Sequence, residues 1–223
     1  MKKALLLSII LTLTMGLFAQ NTKLKDAKPF EIKSGKVEYK IDGKTKGTKT
    51  LWWDDYGRLQ HEYKKTSTKM MGITTKEETL NIRSSEWMYT INLIEKTGTK
   101  MSVDEAMKMT EALAGTSDEA ELIKLGEDVK KDFDAKDVGT ETILGHECII
   151  MEIGKLNGKH WRHRGVTLKM EIIMGGFLGN YLEEAISFDQ NLSVPSSKFE
   201  VPAGIKIEEV SMTNPFEIDV DEE

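Results

Sequence analysis

A period of two runs through most of this sequence. Val166, Leu168, Met170 and Ile172 alternate with Thr167, Lys169 and Glu171, so an extended chain there places its apolar side chains on one face. Val37, Tyr39 and Ile41 alternate with Lys36, Glu38 and Lys40, and Trp87, Tyr89, Ile91 and Leu93 share a face in the same way. Further strands are expected over 50–53 and 59–63, around the turn Asp54-Asp55-Tyr56-Gly57, and over 79–83. A second series is expected over 139–144, 147–153, 159–163, 166–174 and 181–188. Within each series the joints are short, as at Leu156-Asn157-Gly158. No helix intervenes there, and strands joined so tightly must run antiparallel, because parallel neighbours need a long crossover.

One stretch breaks the period. Ser102-Val103-Asp104-Glu105 is a capping box. Val103, Met107, Thr110, Leu113 and Ala114 then recur at helical spacing, and Gly115 ends the element. A second helix is expected to start near Ser117, with Leu122, Leu125, Val129 and Phe133 on one stripe. The insert, 102–134, holds ten acidic and four basic residues, and its charges lie mostly opposite the stripes. The expected fold class is α+β: an antiparallel, incomplete β-barrel (half-barrel) with a two-helix insert packed over its concave face.

The ends differ from the body. Lys2 and Lys3 precede an apolar run over 4–13, and Ala19 closes the segment. These are the parts of a secretory signal peptide, and the run is too short to span a membrane. The expected organisation is a signal peptide over 1–19, a flexible segment over 20–28, one half-barrel domain over 29–211 and an acidic tail over 212–223. The formal net charge of −6 argues against a dedicated nucleic-acid binder. Much of that charge belongs to the insert and to the C-terminus, where seven acidic residues and no basic one follow Ile207. Cys148, the single cysteine, stands in the run Glu147-Cys148-Ile149-Ile150-Met151. It reads as a buried small hydrophobe, or alternatively as an intermolecular disulfide partner.

Two phrases carry a resemblance. The segment from Val138 to Cys148, with Val138-Gly139-Thr140-Glu141 and Ile143-Leu144-Gly145-His146, resembles a phrase of a family of uncharacterised secreted bacterial proteins. Lys198-Phe199-Glu200-Val201-Pro202-Ala203-Gly204 resembles that family's end of domain. The order of strands, helical insert and strands is similar to the periplasmic lipoprotein carriers, the LolA/LolB-like class. That resemblance implies an apolar cavity wrapped by an incomplete barrel, with helices as its lid. The arginine that helps hold the carriers' lid has no matching motif here, and Arg58 lies among different neighbours.

Motifs for covalent chemistry are missing. There is no Gly-x-Ser-x-Gly and no His-Glu-x-x-His, and Gly175-Gly176-Phe177-Leu178-Gly179 lacks the Lys-Ser/Thr of a phosphate loop. His146 and Cys148 are two apart and share a face of a strand, whereas His160 and His163 are three apart and fall on opposite faces. No metal site, cofactor or catalytic residue is expected. The expected function is an exported, soluble binding protein that holds a lipid or acyl chain in the half-barrel. Its cavity candidates are Tyr39, Trp53, Tyr63, Trp87, Tyr89, Met107, Leu113, Val166, Leu168, Met170 and Ile172. Met70 and Met71, like Met107, Met109 and Met170, suit adaptable apolar surfaces. The alternative is a structural or interaction module of the cell envelope, with a filled core and a protein partner. No nucleic acid and no transmembrane anchor are expected.

Overall fold

The segments that alternate in sequence pair with one another. The computed structural model describes residues 27–114, 118–173 and 179–210. The first series gives β1 (Gly35–Gly43), β2 (Thr45–Asp54), β3 (Leu59–Met70), β4 (Ile73–Arg83) and β5 (Trp87–Asn92), and β6 (Thr97–Ser102), which the alternation does not announce, follows. Helices α1 (Val103–Ala114) and α2 (Glu119–Asp132) follow. The second series gives β7 (Ala135–Ile143), β8 (His146–Ile153), β9 (Gly158–His163), β10 (Val166–Ile173) and β11 (Asn180–Gln190), and β12 (Lys206–Glu209) comes last. All belong to one 12-stranded sheet in the order β12-β6-β5-β4-β3-β2-β1-β11-β10-β9-β8-β7. Neighbours are antiparallel except β12, which runs parallel to β6. The sheet is not closed into a barrel: β12 and β7 are its edges. The expected signal peptide, residues 20–26 and the tail over 212–223 lie outside the described residues.

The helices sit differently from the expectation. Ser102 caps α1 as expected: its Oγ accepts from the Glu105 amide and donates to Glu105 Oε2, both at 3.1 Å. Yet α1 packs chiefly on β6 and α2 on β7, the strands they adjoin in the chain. Leu125 and Phe133 on the α2 stripe stay exposed, so that stripe is not sealed against a sheet face. No described helix side chain belongs to either apolar cluster of the sheet.

Those two clusters lie in different halves. The first gathers Val37, Tyr39, Leu51, Trp53, Cys148, Trp161, Val166, Leu168 and Ala185, with Ile32 and Phe30 from the segment before β1. Trp53 anchors that segment. Its Nε1 donates to the Ile32 carbonyl at 3.0 Å, and Phe30 meets its ring edge-on at 5.4 Å. Gly35 is required beneath it, since a Cβ there would stand 2.4 Å from the indole. Three ladders shift register through bulges, β1/β11 at Glu38–Tyr39, β9/β10 between Thr167 and Lys169, and β7/β8 between Asp137 and Gly139. All three lie in this half. Each bulge adds twist, and together they roll these strands around the cluster.

Residues paired across strands share a face. Leu51 pairs with Glu62, Glu62 with Asn81 and Asn81 with Thr90, so the face that is apolar on β1 and β2 turns polar on β3, β4 and β5. The opposite face of these strands carries the second cluster: Leu80, Ile82 and Ile91, with Tyr63, Tyr89 and Leu59 against them. The chain after β11 covers it, laying Val194, Phe199, Val201 and Ile205 on these side chains before β12 docks beside β6.

Candidate functional site

Lys49 continues the Leu51–Trp53 row by one step of two, and this puts an ammonium on the buried face of β2. Glu183 on β11 arrives beside it, and both side chains are almost wholly buried. Glu62 Oε2 is 3.6 Å from Lys49 Nζ, and the Tyr39 ring centre is 4.3 Å from it. The second Glu183 oxygen, Oε2, accepts from the Tyr181 hydroxyl at 2.8 Å, while Tyr39 donates to the Thr167 carbonyl at 2.8 Å. Burial works against the Lys49 charge, but Glu62, Glu183 and Tyr39 outweigh it and hold the ammonium above its ordinary range. Burial pushes both Tyr39 and Tyr181 well up, and the Glu183 carboxylate adds to each. His160, hydrogen-bonded to Thr167 Oγ1 at 2.5 Å, is pushed down to about 3 by burial and by the charges of Arg162 and Lys49. Every charge here faces a partner and both hydroxyls are spent, so the centre is a clasp between β2, β3 and β11.

A different kind of site stands at the end of the sheet. The β3–β4 hairpin outruns its neighbours: β2 pairs with β3 only as far as Thr68, and β5 pairs with β4 only from Thr79. Its tip is Met70-Met71-Gly72-Ile73, with Met71 94% and Ile73 70% exposed. Met71 and Gly72 have φ of 50° and 83°, the paired left-handed conformation of a two-residue turn that favours Asn-Gly. Leu144 and Arg164 hold the same position before Gly145 and Gly165, but neither joins full exposure to such a setting. Residues 64–76 carry Lys64, Lys65, Lys69 and Lys76 and no acidic residue. At the hairpin's base, Glu78 accepts from the Tyr63 hydroxyl at 2.6 Å and pairs with Lys65 at 3.0 Å. These bonds hold the Glu78 carboxyl below its usual range and raise Tyr63 to about 12.

The cavity candidates are distributed between the halves. Tyr39, Trp53, Val166 and Leu168 are buried in the first cluster. Tyr63 and Tyr89 pack on the second, across the sheet from Tyr39 and Trp53, and Trp87 stacks under the Lys100 ammonium at 3.8 Å. Met170 and Ile172 are half-buried on β10 and Met107 is half-buried on α1, while the Leu113 side chain lies outside the described residues. Two hollows among the described residues, of about 400 and 290 Å³, are lined by β2–β4 with Ile94 and by the β8–β10 end of the sheet. Neither includes a helix residue. Cys148 is buried, as expected, and burial raises its thiol. His146 is brought beside His163, a partner its sequence spacing does not suggest, with ring centres 5.0 Å apart.

No described helix is long and apolar enough to cross a membrane. No family model matches the sequence, and no curated protein matches it. Among solved structures, the chain is similar to an uncharacterized conserved protein from Thermus thermophilus, at 6% identity and a TM-score of 0.47 over 88% of this chain and 97% of that one. It is similar to MucB in a complex with MucA(peri), at 11% identity and a TM-score of 0.42 over 79% of this chain and 57% of MucB. It is also similar to LprF from Mycobacterium bovis, at 15% identity and a TM-score of 0.33 over 82% of this chain and 95% of that one.

Proposed function

We propose that the protein is an exported, non-catalytic binding module that meets lipid at the tip of the β3–β4 hairpin. Met70, Met71 and Ile73 enter the headgroup region, and Lys69 and Lys76 face the phosphates. The observation that carries this reading is Met71. A side chain in left-handed backbone costs about 1 kcal/mol or more relative to Gly or Asn, and at 94% exposure Met71 recovers none of it by packing. A lipid surface recovers it, at about 0.8 kcal/mol per buried CH₂ and about 1 kcal/mol per lysine near anionic headgroups. An acyl chain enclosed in the sheet has less support, because Tyr39, Trp53, Val166 and Leu168 already fill the first cluster.

Vesicle co-sedimentation tests this reading, with anionic phosphatidylglycerol vesicles against zwitterionic phosphatidylcholine ones. The parent chain is expected to bind the anionic vesicles and to lose binding as salt rises. Met71→Asn is expected to raise stability by about 1 kcal/mol while weakening vesicle binding severalfold. The Lys69→Glu/Lys76→Glu pair is expected to weaken it by about tenfold or more. Equal binding by the parent and Met71→Asn would sink the proposal. The second reading, a protein-interaction module of the envelope, is favoured by the two filled clusters; it gains if the parent ignores vesicles of either charge.

A further inference from the structure

We infer that His146 and His163 form a two-imidazole site for a divalent transition-metal ion, with Cu²⁺ held more tightly than Zn²⁺. The two residues stand at the start of β8 and the end of β9, adjacent strands that pair through Ile149 and Arg162. Their ring centres are 5.0 Å apart and their planes are tilted by 49°. With a metal–nitrogen bond of about 2.0–2.1 Å, an imidazole centre lies about 3.2 Å from the ion, and two such rings at a tetrahedral angle stand about 5 Å apart. The observed spacing of the ring centres is compatible with two ligands on one ion.

The His163 tautomer suits this role. His163 Nδ1 lies 2.7 Å from the Glu147 carbonyl. A carbonyl only accepts, so Nδ1 carries the proton and Nε2 keeps its lone pair. This is the outer contact that metal-binding histidines usually make. His146 Nδ1 lies 3.4 Å from the Gln190 amide nitrogen, Nε2. An amide nitrogen only donates, so Nε2 of His146 is free for a metal when the Gln190 carboxamide turns over and its oxygen accepts from Nδ1. Phe188 presses edge-on against both rings, at 4.9 and 5.9 Å, and limits their rotation. Both imidazoles are half-exposed, so an ion reaches them without unfolding.

Among the described residues no group of three or more His, Cys, Asp or Glu side chains gathers. The pair therefore leaves coordination positions for water or for an incoming ligand. Cu²⁺ ranks above Zn²⁺ because imidazole sites follow the general order of divalent-ion affinity.

Isothermal titration with CuCl₂ and with ZnCl₂, on the full chain after removal of any affinity tag, tests the assignment. One ion per chain is expected, with the Cu²⁺ electron paramagnetic resonance spectrum showing two imidazole nitrogens. His146→Gln and His163→Gln should each weaken binding by about tenfold or more. His61→Gln, which removes an imidazole held by the Lys198 carbonyl elsewhere in the fold, should leave it unchanged. Thermal melts of all three variants check that the sheet persists, and Phe188→Leu, which keeps both imidazoles, should weaken binding less than either histidine change. An affinity unaltered in both His146→Gln and His163→Gln, or a spectrum without imidazole nitrogens, would overturn the site and leave an adventitious ion only.

Discussion

The two halves of the sheet bury opposite faces. In the rolled half, β1, β2 and β8–β11 wrap their apolar side chains inward around Trp53 and Leu168, and three bulges bend the ladders there. The open half, β3–β6, has regular ladders and turns Leu80, Ile82 and Ile91 to the other side, where a length of chain covers them. A bulged sheet can close on itself, whereas a regular one needs a separate layer to cover its apolar face. The Lys49–Glu183 clasp adds a difference of chemistry. The rolled half holds a buried, paired charge, while the second cluster is assembled from apolar and aromatic side chains.

The largest test of this contrast is to break the clasp. Lys49→Met leaves the Glu183 carboxylate buried without its cation and should cost about 3–5 kcal/mol by urea denaturation. Adding Glu183→Leu should recover most of that loss, and a double variant as unstable as the single one would mean that the pair does not act as a unit. Next, Phe199→Ala should cost about 3 kcal/mol and speed amide exchange in β4–β6 before β8–β11; uniform loss across the sheet would merge the halves into one cooperative block. A pH series gives the third. His160 has its folded value lowered to about 3 from 6.5, so the unfolded chain takes up the proton first and stability falls as pH drops below 6.5 towards 3. Between about pH 6 and 4.5 the parent should lose about 2 kcal/mol more than His160→Gln. The smallest effect is expected in the helices. Met107→Asp should cost less than about 1 kcal/mol in global stability, because no described helix side chain joins either cluster; a larger loss would show α1 to be part of the core.

Most of the strand order was legible because alternation is a local signal. Val166 to Ile172, the turn at Leu156-Asn157-Gly158 and the Ser102 cap of α1 each read correctly from a few neighbouring residues. The faces did not. Tyr39 and Tyr63 look alike in sequence, yet register places them on opposite sides of the sheet, and register depends on partners far away in the chain. The cover over Leu80 and Ile91 comes from the irregular stretch around Phe199, which has no period to read. Lys49 carried a usable signal, a charge in phase with Leu51 and Trp53; its counter-ion Glu183, 134 residues away, carried none. The hairpin tip was underestimated because Met70 and Met71 read only as adaptable, and their exposure depends on how far β2 and β5 stop short of them.

The parallel pairing of β12 with β6 has a consequence for the order of assembly. During synthesis β6 emerges long before its outer partner, about 100 residues earlier in the chain, and contacts that distant form late. Through that interval the outer edge of β6 offers a bare row of amides and carbonyls, a template on which any other strand can pair. Residues 206–209 therefore act as a seal as well as a strand, replacing a six-residue edge with a four-residue one that carries Lys206, Glu208 and Glu209 and recruits neighbours less readily. A molecule that has not yet laid them down has its rolled half within reach and its open half still adhesive.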